Sequence, residues 1–98
     1  MRREKNTMPI MNITVTAKDI RMGKKGLASG CPIALACYRA GLAAAPMVRP
    51  AYVECFVWAD GWKTLKYILP DIAIKFMAAY DADRKVAPFR FTLEREGD

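Results

Sequence analysis

Residues 26–41, GLASGCPIALACYRAG, contain the clearest structural signals in the chain. They predict a short buried helix, because Pro32 suits the first helical position and Gly41 suits the left-handed conformation that closes a helix. Between these two residues, every side chain except Tyr38 and Arg39 is small or apolar. Nearly the whole circumference of the helix is able to contact other protein, so we expect a sheet for it to lie on.

The length and composition of the chain are those of one globular domain. Its 98 residues lie near the common domain size of about 100 to 150. The hydrophobic share of 53% and the charged share of 27% exclude an intrinsically disordered chain. We expect a single domain over residues 1–98, with flexible tails at 1–7 and 95–98. No apolar run approaches the ~20 residues that cross a bilayer, so we expect a cytoplasmic protein.

Charge and missing residue types restrict the classes of function. Lys and Arg total 16 against 10 Asp and Glu, and the resulting net charge of +6 permits attraction to nucleic acid or to an acidic protein surface. The chain contains no histidine, so the usual general base and the Cys-His or Ser-His nucleophile pairs are absent. We therefore expect no enzymatic activity, no cofactor and no bound metal.

Three cysteines, Cys31, Cys37 and Cys55, form an odd set without CxxC spacing. Buried free thiols in a reducing compartment are the simplest interpretation. Cys31 lies where the amide dipoles of a helix N-terminus lower a thiol pKa, with Lys24 and Lys25 close in sequence. A reactive thiol at Cys31 is therefore a competing hypothesis, which we rank below a structural role.

Alternating and capping residues outline the elements around the central helix. Residues 11–16 alternate between apolar and polar side chains and predict a strand with one buried face. Thr16 and Asp19 have the spacing of a capping box, which predicts a short helix that ends at Gly23. After the central helix, we expect residues 42–45 to form a ragged turn that a proline stops.

The dipeptide DG at 60–61 is the strongest turn signal in the chain. It favours a two-residue type I′ turn, because both central positions of that turn need positive φ. We therefore predict a hairpin between strands 51–59 and 62–69. A two-residue turn also fixes which residues lie opposite each other, and it places Tyr52 opposite Leu69.

This register divides the hairpin side chains between two faces. The first face has more aromatic bulk, so we expect it to pack against the helices. Its residues are Tyr52, Glu54, Phe56, Trp58, Lys63, Leu65, Tyr67 and Leu69. The second face is then free to bind a partner, with a tryptophan as its anchor. The predicted partner-binding residues are Trp62, Val53, Val57, Ile68 and Lys66. The inverted orientation instead exposes the aromatic residues as a stacking surface for nucleic-acid bases.

A second helix and a final strand complete the predicted elements. The helix begins at 70–71 and is closed by the polar stretch 81–85. Its apolar stripe at helical spacing is Ile72, Ala73, Phe76, Met77 and Tyr80. The strand that follows points Phe89, Phe91 and Leu93 inward. The resulting β-α-β-β-α-β order predicts an α+β domain, a ferredoxin-like two-layer sandwich with an antiparallel sheet. The rival is a sheet with differently placed helices, for example with the first strand at an edge.

The segment 18–30 is the most basic part of the expected folded body. The residues of this basic patch are Lys18, Arg21, Lys24 and Lys25. They provide electrostatic steering towards an acidic partner or phosphate contacts with nucleic acid. The glycines around the two lysines match neither of the common phosphate-loop patterns, so a flexible basic connection is the simpler interpretation.

Three stretches resemble small uncharacterised proteins encoded by bacteriophages and prophages. They are ITVT at 13–16, CPIALA at 31–36 and PFRFTL at 88–93. The resemblance implies a phage accessory protein that acts by binding in the host cytoplasm, a class that includes inhibitors of host defence such as anti-CRISPR proteins. Many such inhibitors are acidic mimics of nucleic acid, whereas this chain is basic.

Two functions are consistent with these observations. The first is a non-enzymatic binding module that occupies a host protein or complex, with Trp62 as the anchor and the basic patch for steering. The second is a small basic nucleic-acid-binding protein, in which Arg2, Arg3 and Lys5 join the basic patch in phosphate contacts. A homodimer is left open, and no membrane partner is expected.

Overall fold

The structure is a computed structural model, and it describes residues 9–42, 44–58 and 60–96. These residues form five strands and three helices. In chain order they are β1 (Ile10–Val15), α1 (Ala17–Met22), α2 (Pro32–Arg39), β2 (Ala44–Val48), β3 (Tyr52–Trp58), β4 (Trp62–Ile68), α3 (Asp71–Asp81) and β5 (Phe89–Arg95). The predicted N-terminal tail, residues 1–7, lies outside the described residues.

The strands form one antiparallel sheet in the order β1-β5-β4-β3-β2. Apolar residues of α2 and α3 join the buried strand residues in a single core on one side of this sheet. The protein is therefore a small single-domain α+β fold. The ferredoxin-like strand order is not confirmed, because β1 lies at an edge of the sheet, as in the rival arrangement.

The predicted inward residues of the first and last strands are confirmed. Ile13 and Leu93 are fully buried, and Phe91 is nearly so. The ring of Phe89 lies between Phe91 and Phe76 of α3, with centroid distances of 5.3 Å and 4.6 Å. This row of aromatic rings packs α3 against β5.

Strand β2 was not predicted, because residues 42–45 were expected to form a turn. Pro46 lacks the N–H group that a central strand needs, so it disfavours a strand in sequence. The structure accommodates it in an edge strand, whose register is irregular between Ala44 and Met47. The N–H group of Val48 also donates to the carbonyl of Ala28 at 2.8 Å, which fastens the loop before α2 to this edge.

The central helix forms as predicted. Pro32 occupies its first turn, and Gly41 follows it with a φ of 85°. The N–H group of Gly41 donates to Tyr38 at 3.1 Å, and that of Leu42 donates to Cys37 at 3.2 Å. These two bonds are the Schellman motif, which satisfies the last carbonyl groups of a helix.

The predicted capping box at α1 is confirmed. The Thr16 hydroxyl accepts from the Asp19 N–H group at 3.2 Å, and the Asp19 carboxylate accepts from the Thr16 N–H group at 2.8 Å. Arg39, at the end of α2, adds an unpredicted contact: it donates to both carboxylate oxygens of Asp19, at 2.6 Å and 2.8 Å, and to the carbonyl of Thr14. One guanidinium thus connects β1, α1 and α2.

The Asp19 carboxylate is buried, with only 4% of its side chain exposed. Burial by itself raises the pKa of Asp19, but the hydrogen bonds from Arg39 and Thr16 outweigh it. The pKa of Asp19 therefore lies below its ordinary value, and the charged carboxylate is the form that the fold stabilises.

The predicted hairpin forms, but its register differs by one residue from the prediction. Trp58 pairs directly with Trp62, so three residues rather than two connect β3 to β4. Asp60 and Gly61 have φ values of 59° and 120°, so both adopt the positive φ that the DG dipeptide favours. The turn was predicted at the right place and with the wrong length.

Compared with the predicted register, this shift places every β3 side chain on the other face of the sheet. Val53 and Cys55 are fully buried with Tyr67, while Glu54 points away from the core and pairs with Arg49 at 3.3 Å. The predicted register would have enclosed the Glu54 charge in the core, which costs far more than burying valine. The expected burial is confirmed for Tyr67 and Leu69 and is wrong for Tyr52, Phe56 and Trp58.

Strands β4 and β5 overlap over a short length. Their ladder consists of Tyr67 with Arg95 and Ile68 with Glu94, followed by a bond from the N–H group of Glu96 to a β4 carbonyl. Arg95 and Glu96, the first two residues of the predicted flexible tail at 95–98, thus contact the sheet, and the last two lie outside the described residues. The flexibility of this tail stays a prediction. The first half of β4 extends beyond the described part of β5.

Helix α3 packs through one side. Ala73 and Phe76 are buried as predicted, whereas Ile72 is 53% exposed, contrary to the expected apolar stripe. Within the described ranges, no helix combines the length and apolarity needed to cross a bilayer.

Arg39→Ala is expected to lower the free energy of unfolding by about 2 kcal/mol, because the buried Asp19 carboxylate loses its charged donor. The Arg39 side chain is itself 51% exposed, so the loss stays below that of a fully buried pair. Urea unfolding at neutral pH measures the change. Arg39→Lys keeps the charge without the two-point bond and should lose less. Equal stability of the Ala variant and the wild type would contradict this role.

The lowered pKa of Asp19 also predicts how stability depends on pH. The Asp19 contribution is complete above its unfolded pKa, which is about 3.9, and is lost as the pH falls through the lower folded value. Urea midpoints measured between about pH 6 and pH 2 should therefore fall for the wild type. The fall should be smaller in Arg39→Ala, and an equal fall in both proteins would argue against the pair.

Candidate functional site

Aromatic and apolar side chains cluster on the side of the sheet that faces away from the helices. We call this surface the aromatic face, and its residues are Tyr52, Phe56, Trp58, Trp62, Lys66 and Ile68. They share one side because strand residues alternate between faces and directly paired residues point the same way. Tyr52 and Phe56 are half-buried, and the other four are exposed.

Trp58 and Trp62 form a cross-strand pair at the tip of the hairpin. Their ring centroids lie 5.5 Å apart with planes at 74°, an edge-to-face contact that stabilises the hairpin. Even so, 65% of Trp58 and 67% of Trp62 remain exposed. Paired tryptophans with this much accessible surface are typical of the anchors that protein interfaces use.

Polar groups surround the tryptophans without giving the surface a net charge. The Nζ atom of Lys66 lies 4.8 Å from the centroid of the Tyr52 ring, in cation–π geometry. The outward-facing charged residues of β3, β4 and β5 are Glu54, Lys66, Arg90 and Glu94. With two acidic and two basic side chains, this side of the sheet offers contact area rather than a strong electrostatic field.

Three of the five residues predicted to bind a partner lie on the aromatic face. Trp62, Ile68 and Lys66 are exposed there, as expected. The placement of the other two on an outward face is wrong, because Val53 is fully buried and Val57 is half-buried against the core. The one-residue shift of the hairpin register explains both errors. Partner binding by the three exposed residues stays a prediction.

The basic patch lies on α1 and on the loop that follows it, on the helix side of the sheet. All four of its residues are exposed. The Nζ atom of Lys25 lies 2.6 Å from both carboxylate oxygens of Asp83, which joins the loop to the end of α3. Arg84 and Lys85 follow Asp83 in the chain and are also exposed. The structure therefore places the cationic side chains of Arg84 and Lys85 near the basic patch. The basic patch and the aromatic face lie on opposite sides of the sheet.

A cleft of about 360 Å³ opens between the loop before α2, the connection from β2 to β3, and α3. Its lining is mostly apolar and includes Leu27, Val48 and Met77. The charged residues of the lining are Arg49 and Asp81, and the first is already paired with a glutamate. The cleft thus has few polar groups with which to orient a ligand.

All three cysteines are buried and free. Burial raises the pKa of Cys31, although the N–H groups of Ile33 and Ala34 act in the opposite direction. Burial also raises the pKa of Cys37, and it raises the pKa of Cys55 to about 11. This geometry disfavours a thiolate at neutral pH and so favours the structural role over the reactive-thiol hypothesis. In the part of the chain that the structure describes, no three potential ligand side chains come together to hold a metal.

Trp58 is the candidate binding residue that sequence reasoning missed. The sequence contained a signal that would have found it, namely the distribution of charge between the two hairpin faces. In β3, Val53, Cys55 and Val57 form an uncharged face, whereas the face of Trp58 includes Glu54. Because an unpaired buried charge costs more than exposed aromatic area, charge outweighs aromatic bulk in assigning the core face.

Comparison of the chain with protein-family models, with curated proteins and with solved structures finds no match. The function of the aromatic face and of the basic patch therefore has to be argued from their own geometry. A phage origin stays a prediction that rests on the three resembling stretches of sequence.

The buried thiols predict slow alkylation. We expect Cys31, Cys37 and Cys55 to resist iodoacetamide in the folded protein near neutral pH, because each is buried and its pKa is raised. All three should react rapidly in urea, which serves as the control. Mass spectrometry of peptides after timed labelling measures each rate. Rapid labelling of Cys31 alone in the folded protein would restore the reactive-thiol hypothesis.

Proposed function

We propose that the protein is a non-enzymatic binding module that docks a partner protein on the aromatic face, with Trp58 and Trp62 as the anchor. The observation that supports this most directly is the exposure of both rings in an ordered pair. A pair held in place loses little side-chain entropy on binding, and desolvation of large aromatic rings dominates the energy of most interfaces.

The distribution of charge favours a protein partner over nucleic acid at this face. Proteins that stack single-stranded bases on aromatic rings align those rings with a positively charged groove. Here the outward side of the sheet is charge-balanced, and the basic patch lies on the helix side. Stacking and phosphate contacts are therefore not combined on one surface.

The biological setting of this module is proposed from the sequence alone. A phage accessory protein that inhibits or redirects a host protein or complex, including a host-defence complex in the cytoplasm, would act by such binding. The absence of histidine from the chain and the burial of all three thiols support a role without catalysis.

Trp62→Ala is expected to weaken binding of the partner by about thirtyfold or more, as truncation of an interface anchor does. The wild type, Trp62→Ala and Tyr38→Ala are used as parallel baits with host extract, and quantitative mass spectrometry compares the captured proteins. Tyr38 is the matched control, because it is an equally exposed aromatic residue, at 70%, on α2. A protein retained by the wild type and Tyr38→Ala but lost with Trp62→Ala supports the anchor. Equal capture by all three baits contradicts it.

The second candidate function is nucleic-acid binding through the basic patch. Lys18, Arg21 and Lys24 are exposed, and the net charge of the chain is +6. If these cations contact phosphates, the logarithm of the affinity falls with the logarithm of the salt concentration, by about 0.9 for each phosphate neutralised. Electrophoretic mobility shifts with single- and double-stranded DNA and RNA across a salt series measure this slope. No shift even at low salt would dismiss the candidate.

A further inference from the structure

Three segments of the chain form the walls of the apolar cleft. They are the loop before α2, the connection from β2 to β3, and one side of α3. The residues of the α3 wall are Ile74, Met77, Ala78 and Asp81, whose spacing of three and four positions places them on one side of a helix. Cys31 is the most deeply buried lining residue, so the cleft reaches inward to the start of α2.

Hydrogen bonds hold these walls in place. The bond from Val48 to Ala28 joins the loop to β2, and the Lys25–Asp83 pair joins it to the end of α3. Within the connection, the N–H group of Arg49 donates to a β3 carbonyl at 2.7 Å. The cleft is thus built into the fold, and its volume of about 360 Å³ lies in the range of small-molecule sites, about 300 to 1,000 Å³.

Asp81 gives the cleft an uncompensated negative charge. Of the two charged lining residues, Arg49 already pairs with Glu54. Asp81 is exposed, and in the described part of the chain its carboxylate has neither an ion pair nor a hydrogen bond. Burial is the main cause of the raised pKa of Cys31, and the charge of Asp81 adds to it. The carboxylate therefore acts on the inside of the cleft.

The position of Asp81 in its helix also favours a cation. Asp81 is the last residue of α3, where the backbone carbonyl groups make the end of the helix negative. The last turn of α3 contains no basic residue. An acidic side chain at this end is unfavourable by itself, and a bound cation offsets the repulsion.

We propose that the cleft binds a small amine, whose apolar body lies against Leu27 and Met77 and whose ammonium group pairs with Asp81. The apolar walls favour the body of the ligand, and the single free carboxylate selects a positive end. A metal ion fits less well, because it needs several ligand side chains and no three come together in the described residues. The cleft lies on the helix side of the sheet, so this inference is independent of docking on the aromatic face.

Tryptamine, tryptophol and indoleacetate are the probes for the cleft. They share an indole body, and their side-chain ends are positive, neutral and negative. Each is titrated into the isotope-labelled full chain up to about 5 mM and followed by NMR. We expect tryptamine to shift the signals of Leu27, Met77 and Asp81. We expect it to bind about fivefold more tightly than tryptophol, with indoleacetate weaker still.

Two substitutions of Asp81 test the role of its charge. Asp81→Lys places a cation where a helix end favours one, so we expect this variant to fold. It should prefer indoleacetate to tryptamine, the reverse of the wild type. Asp81→Asn removes the charge alone and should bind tryptamine and tryptophol about equally well.

Ala78→Phe tests the location of the site. Ala78 is exposed on the α3 wall, so a phenyl ring at this position fills the cleft without entering the core. We expect this variant to bind tryptamine about tenfold more weakly or less tightly still. Ile72→Phe is the matched control, because Ile72 is exposed on the side of α3 opposite Asp81. If Ala78→Phe does not fold, the reversal of preference in Asp81→Lys decides the question.

Three outcomes overturn the inference. The first is no shift of the cleft residues at the highest tryptamine concentration. The second is equal binding of the three probes, or tryptamine binding that Asp81→Lys leaves unchanged. The third is a set of shifts confined to Trp58 and Trp62, which would place the amine on the aromatic face instead.

Discussion

The pairing of Val53 with Tyr67 determines how the rest of the structure is arranged. Because directly opposed residues share a face, this one pair places Val53, Cys55 and Tyr67 against the helices and turns Glu54 towards water. The alternative register, shifted by one residue, would enclose a carboxylate in a core whose only described buried charge is Asp19. The free-energy cost of that burial fixes the register, and the three-residue connection at the hairpin tip follows from it.

The same register produces the candidate site. Once Val53 and Val57 of β3 face the core, Trp58 and Trp62 at the hairpin tip face away from the described helices. The hairpin tip, where β4 begins, extends beyond the described part of β5. The residues that stabilise the fold lie away from the hairpin tip. Ile13 of β1 packs in the hydrophobic core, and the Asp19–Arg39 ion pair joins α1 to α2. Stability and the proposed binding therefore depend on largely separate residues, which suits a module that binds without catalysing a reaction.

The two exposed surfaces of the protein differ in their physical character. The aromatic face provides apolar area with balanced charge, and the basic patch provides positive charge without aromatic rings. The first is suited to short-range contact and the second to long-range attraction of an acidic partner.

The sequence by itself determined the local structure: the capping box of α1, the proline and glycine that bound α2, the alternation of β1 and β5, and the site of the hairpin turn. It also indicated that Trp62, Ile68 and Lys66 are exposed. Each of these features depends on residues close in sequence, whose φ preferences and side-chain hydrogen bonds act over one turn or one strand. Only the tertiary structure decided the position of β1 at a sheet edge, the use of a proline-containing segment as β2, and the faces of Val53 and Trp58. These depend on which side chains far apart in sequence are buried together, and a one-residue difference in turn length, which the DG dipeptide does not specify, is enough to reverse them.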